Sequence, residues 1–215
     1  MNSFGRLAIG LGTIGSAVGG GYALHRQLST ESVSKKLLAN GYELLDKDSQ
    51  EWTTILTNYK TTVSTNQDLK FGEFIGEPSK ESTLKEECKK ALETSSSDTS
   101  NYKKAEHWCT KPRSLEDVLK KQNFRLLIIK DNDDTEDQNE WNKKLDSHHQ
   151  ATGENQNKKF SDLNIASGGA LKKDKGERDE IKKKCKELRV KKHYEHDFDS
   201  NLEKAKLWCA IENKQ

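Results

Sequence analysis

The chain has 215 residues, of which 31% are hydrophobic and 33% charged, so any core is lean and there is room for one large domain or two small ones. The formal net charge is +2; outside residues 1–26, which hold Arg6 and Arg26 and no acid, 35 basic residues stand against 35 acidic ones. That balance excludes non-specific nucleic-acid binding, which needs a surplus of Lys and Arg to displace counterions, and describes a solvated helical surface of mixed charge.

Residues 1–26 read as a hydrophobic signal or transmembrane segment, because residues 7–24 carry no charge and Arg6 and Arg26 flank them. Eighteen residues at about 1.5 Å each reach the short limit for crossing a bilayer. A retained anchor that uses residues 7–24 to hold the membrane is the preferred reading. Secretion after cleavage behind Gly21-Tyr22-Ala23 is the alternative. Basic residues on both sides leave the membrane orientation open. Gly10, Gly12 and Gly15 match a dinucleotide fingerprint, but the strand before them could be only Leu7-Ala8-Ile9, Gly19-Gly20-Gly21 break the helix that should follow, and no second apolar strand appears. No cofactor is expected.

After this segment the elements occur twice. Ser32–Leu37 is answered by Ser114–Leu119, and Gly41-Tyr42-Glu43-Leu44-Leu45 by Asn123-Phe124-Arg125-Leu126-Leu127. Asp48 to Trp52 matches Asp137 to Trp141, with Glu51 and Glu140 before each tryptophan; capping explains these acids without chemistry. Leu84 to Cys88 pairs with Ile181 to Cys185, and Tyr102 to Cys109 with Leu202 to Cys209. Two tandem helical modules are therefore expected, 31–111 and 112–215, with Pro112 at the joint. The longer connections of the second, Asp131–Asn139, Ser147–Asn157 and Ser167–Glu177, read as tolerated surface loops.

The fold class expected is mainly α, about four short helices per module with one short extended segment, for which Phe124 to Ile129 is the clearest strand signal. Thr83-x-x-Glu86, Ser114-x-x-Asp117 and Ser200-x-x-Glu203 resemble capping boxes. If the Cys88 helix ends near Thr94 and the next begins near Asn101, an antiparallel hairpin brings Cys88 level with Cys109. Cys185 and Cys209 obey the same construction, so a disulfide-linked helical hairpin is expected in each module. Four reduced cysteines packed as small hydrophobes are the alternative. No metal site is expected: His107 faces Leu207 in the other copy, and His148-His149 and His193-x-x-His196 have no counterpart in the first. Trp108 and Trp208 read as core, and no catalytic set converges.

Together the glycine-rich hydrophobic start, Gly-Tyr-x-Leu-Leu, acid-x-x-Glu-Trp and Lys-Ala-x-x-Trp-Cys-Thr-Lys-Pro resemble the large paralogous families of uncharacterised proteins of haemotropic mycoplasmas. The resemblance covers nearly the whole chain through order and spacing. It implies a membrane-associated or surface protein with antigenic or host-contact roles, and it transfers no catalytic residue. The functional expectation is a membrane-anchored, surface-displayed, non-enzymatic protein that contacts host-cell or immune proteins. An intracellular scaffold with reduced cysteines and a secreted small-ligand domain, marked by a polar pocket between the modules, are the alternatives. Oligomeric state is left unspecified.

Overall fold

In the computed structural model, which describes residues 31–130, 135–163, 165–166 and 169–213, Ser32 and Ser114 begin two successive sets of helices. The first set is α1 (Val33–Ala39), α2 (Glu51–Thr65), a 3-10 turn (Gln67–Leu69), α3 (Glu81–Glu93) and α4 (Thr99–Trp108). The second is α5 (Leu115–Lys121), β1 (Phe124–Leu126), α6 (Gln138–Gln150), a 3-10 turn (Gly153–Lys158), α7 (Lys175–Arg189), α8 (Phe198–Trp208) and β2 (Ala210–Glu212). The hydrophobic segment read at residues 1–26 lies outside the described residues. Among the described residues no helix is long and apolar enough to cross a membrane.

Local chemistry sets the helix ends. The Ser114 hydroxyl accepts from Asp117 N while the Asp117 carboxylate accepts from Ser114 N, a complete capping box. Both α1 and α5 stop where the chain turns left-handed, at Gly41 (φ +71°) and Asn123 (φ +65°), the two residue types that tolerate this region best. Thr83 and Ser200 do not cap. They lie inside α3 and α8, which begin one turn earlier, where Glu81 suits the positive helix end and Phe198 enters the core. The Asp48 and Asp137 side chains do not cap either: α2 begins after Gln50, and Asp137, the N-cap residue of α6, turns its carboxylate elsewhere. Asp48 is exposed, and the Asp137 carboxylate grips the Arg125 guanidinium at 2.7 and 3.0 Å and accepts from Ile128 N.

The apolar stripes face inward as their spacing demands. One buried cluster gathers Val33, Leu37, Trp52, Ile55, Tyr59, Leu84, Ala105 and Trp108; the other gathers Leu115, Leu119, Trp141, Leu145, Ile181, Ala205 and Trp208. Tyr194, which follows α7, crosses into the first cluster.

The same hydrogen bonds frame both sets. Val33 N donates to Thr94 O and Leu115 N to Lys191 O; Leu45 N donates to Cys109 O and Leu127 N to Cys209 O. Trp52 Nε1 bonds Asp46 O at 2.9 Å and Trp141 Nε1 bonds Ile128 O at 3.0 Å. Trp108 Nε1 bonds the end of the first 3-10 turn, Leu69 O, at 2.9 Å; Trp208 Nε1 bonds the end of the second, Lys158 O, at 2.7 Å. Each pair joins residues at equivalent sequence positions.

The strand signal at 124–129 is realised only over Phe124–Leu126, paired antiparallel with Ala210–Glu212 in the register Phe124–Glu212. It ends there because the Ile128 amide turns to Asp137 instead of a ladder partner. In the first set the same pairing shrinks to a single bridge between Leu44 and Thr110.

Two of the segments read as tolerated loops are built parts. Ser147–Asn157 closes α6 and supplies most of a 3-10 turn. The Ser167–Glu177 stretch ends inside α7, and its Glu177 carboxylate is buried, accepting from Ala166 N (3.0 Å), Lys172 N (2.8 Å) and Lys173 N (2.7 Å). Glu177→Gln is expected to lower stability by about 2–3 kcal/mol, because an amide cannot accept from all three donors and turns its own N–H groups toward some of them. Limited proteolysis should then cut between residues 166 and 174 faster than in the parent, with the rest of the chain protected.

Candidate functional site

Two stapled hairpins and one joint concentrate the chemistry. Disulfides join Cys88 to Cys109 and Cys185 to Cys209, each with Cα atoms 5.5 Å apart, and among the described residues no cysteine is free. The hairpin geometry explains the pairing. Cys88 sits near the middle of α3 and Cys109 just past α4, and the turn between these helices runs from Thr94 to Asp98. Cys185 and Cys209 repeat this on α7 and α8. The loops closed are 21 and 24 residues, so each bond restricts the unfolded chain by about 3 kcal/mol. Cys88→Ser with Cys109→Ser is expected to lower the unfolding midpoint accordingly, read by urea denaturation under non-reducing conditions.

The joint lies where α5 follows α4 through Thr110 to Ser114. His193, 4% exposed, spans it: its Nδ1 accepts from Arg113 N at 3.1 Å and its Nε2 donates to Thr110 Oγ1 at 3.1 Å, while that hydroxyl donates to Glu106 O. The first bond requires a neutral imidazole. Burial, reinforced by His107 and Arg113, pushes its pKa down to about 3. The His107 ring lies 6.2 Å from it, and burial, with Lys103 nearby, holds His107 down to about 4. Arg113 stacks over the Tyr42 ring at 3.8 Å, and the Tyr42 hydroxyl donates to Glu106; burial and that carboxylate raise Tyr42 to about 12. Lys121 also donates to Asn40 O across the joint.

Above these groups opens a cleft of about 180 Å³, with Lys103, Gln122 and Asp199 at its exposed mouth. It is a polar pocket between the two sets, but a small one for a ligand site. His107 Nε2 and Arg113 Nε line its walls unpartnered and sealed from solvent. The arrangement orients and latches: the Tyr42 hydroxyl is turned on the Glu106 carboxylate and the Thr110 hydroxyl on the Glu106 carbonyl. Among the described residues no group of three or more His, Cys, Asp or Glu could hold a metal ion.

The four cysteines meet in pairs, the four tryptophans are core, and Glu51 and Glu140 stand in the first turns of α2 and α6. His148 has no histidine opposite it in the first set, as the reading of the histidines has it, but it does have a structural counterpart there. It occupies the position of Tyr59: Tyr59 Oη accepts from Phe71 N at 2.8 Å, and His148 Nε2 accepts from Phe160 N at 3.0 Å. Each ring stacks on that phenylalanine and meets the tryptophan of the last helix, Trp108 or Trp208, edge-on at 5.0 Å. The signal for this was present, since both residues lie seven positions after the tryptophan of their helix. The latch around His193 had no repeat signal, because it belongs to the joint. Comparison with family models, with curated proteins and with solved structures found no match.

Proposed function

We propose that the protein is a membrane-anchored, surface-displayed, non-enzymatic protein, and that residues 31–111 and 112–215 are two diverged copies of one helical module. The observation that carries the reading is the pair of disulfides, one closing the last hairpin of each copy, which is a means of stabilising a lean core in an oxidising compartment. The recurrent hydrogen bonds support the duplication, and the uncharged residues 7–24 support the anchor. With its polar groups turned on one another and its charges balanced, the exterior is the functional surface, and contact with host-cell or immune proteins is the role that fits it.

Rapid alkylation of intact cells followed by a non-reducing mass map tests the compartment: the proposal expects no alkylated cysteine, and four alkylated cysteines would assign the chain to an intracellular scaffold. Protease shaving of the same cells should remove residues beyond 31 while a membrane-retained fragment survives. A secreted small-ligand carrier, the reading favoured by the cleft at the joint, predicts that the whole chain leaves the membrane fraction.

A further inference from the structure

The two copies differ most usefully in a groove beside the disulfide. In the first copy it holds about 450 Å³, with a floor of Leu44, Leu45, Trp52 and Leu92 laid against Cys88 and Cys109. Leu44, Leu45 and Leu92 are only half-buried, so the groove leaves apolar surface in water. In the second copy Ser34 and Leu92 are replaced by Glu116 and Arg189, whose side chains approach within 3.7 Å, and Arg189 Nη2 also donates to Leu127 O. The corresponding cleft, about 410 Å³, sets Glu116, Arg125 and Arg189 among Phe124, Leu126 and Ile128, and it reaches neither Trp141 nor the disulfide. The groove that runs down to the tryptophan and the disulfide therefore belongs to the first copy, and in the second an ion pair stands in its place.

The rim of the groove defines what would enter. Lys85 and Lys89 stand one helical turn apart on α3, beside the Cys88 and Leu92 floor, and Lys47 faces them; the acids of the rim are the exposed Glu86 and Glu93. Lys85 reaches over the Trp52 ring at 5.7 Å, and among the described residues neither Lys85 nor Lys89 closes an ion pair. An apolar trough ending at two such lysines complements an aliphatic chain with an anionic head. At about 450 Å³ the groove falls within the ordinary range of ligand sites.

We infer that this groove binds a long-chain fatty acid, the alkyl chain along Leu44, Leu45 and Leu92 and the carboxylate at Lys85 and Lys89. The inference does not depend on where the protein resides. Native mass spectrometry of the full chain with palmitate and with hexadecanol tests it. The parent is expected to take up one palmitate saturably and to prefer it to hexadecanol. Ser34→Glu with Leu92→Arg, which imports the second copy's own residues, should reduce occupancy at least about tenfold while leaving residues 7–24 intact. An adduct undiminished in that variant would place the lipid on residues 7–24 and overturn the inference, as would absence of a saturable adduct in the parent. If that variant fails to fold, Lys85→Gln with Lys89→Gln decides: palmitate and hexadecanol should then bind about equally, and a retained preference for palmitate refutes the assignment.

Discussion

Trp108→Ala is expected to destabilise the protein by about 3–5 kcal/mol, the largest effect of any single substitution proposed for it. The side chain is fully buried, its Nε1 holds Leu69 O, and its ring packs edge-on against Tyr59 at 5.0 Å. Truncation opens a large cavity and leaves the Leu69 carbonyl without its donor, two costs that add. The loss should appear as a lower urea midpoint together with reduced near-ultraviolet ellipticity from the Tyr59 ring. A drop smaller than about 1 kcal/mol would mean that the 3-10 turn is not anchored by this tryptophan.

Acid is the second large lever. His148 is 2% exposed and neutral, held down to about 4 by burial, with Lys159 and His149 adding to the effect. An unfolded chain carries this histidine near 6.5, so below that pH the unfolded state binds the proton first. The stability present above about 6.5 is lost as pH falls toward 4, at about 1.4 kcal/mol per pH unit and about 3 kcal/mol in all. His193 adds a loss of the same sign, since protonation would take its Nδ1 away from Arg113 N. His148→Gln keeps an acceptor for Phe160 N and removes the proton. It should cost some stability at pH 7 and flatten the acid limb between about 6.5 and 4, measured by thermal melts across that range. An unchanged acid limb would show that this ring is protonated in the native protein.

What was legible in the sequence was whatever recurs. The tryptophans, the cysteines and the apolar stripes each appear twice, so their order announced helices, hairpins and pairing before any coordinate. Features made once were not legible. Glu177 reads as one more acid of a polar loop, yet it gathers three backbone amides, and no local pattern distinguishes such a carboxylate from a solvated one. The latch at His193 depends on Arg113 and Thr110, which lie some 80 residues away in sequence and carry no spacing signal. The capping motifs failed in part because Ser-x-x-Glu is common in a chain this polar, and burial of Phe198 outweighed the local preference at Ser200. The strand was overextended because a run of Leu and Ile looks the same whether its amides meet a strand or a carboxylate.

The latch also gives the molecule a direction. Tyr42, Glu106, His107 and Thr110 of the first set form a socket; the residues at the matching positions of the second are Phe124, Lys206, Leu207 and Ala210, with Lys206 lying over Phe124. Arg113 and His193 form the plug, and the residues at the matching positions of the first set are Glu31 and Ser96. With the two sets exchanged in order, neither the socket nor the plug would stand at the joint, so the latch belongs to one order of the sets.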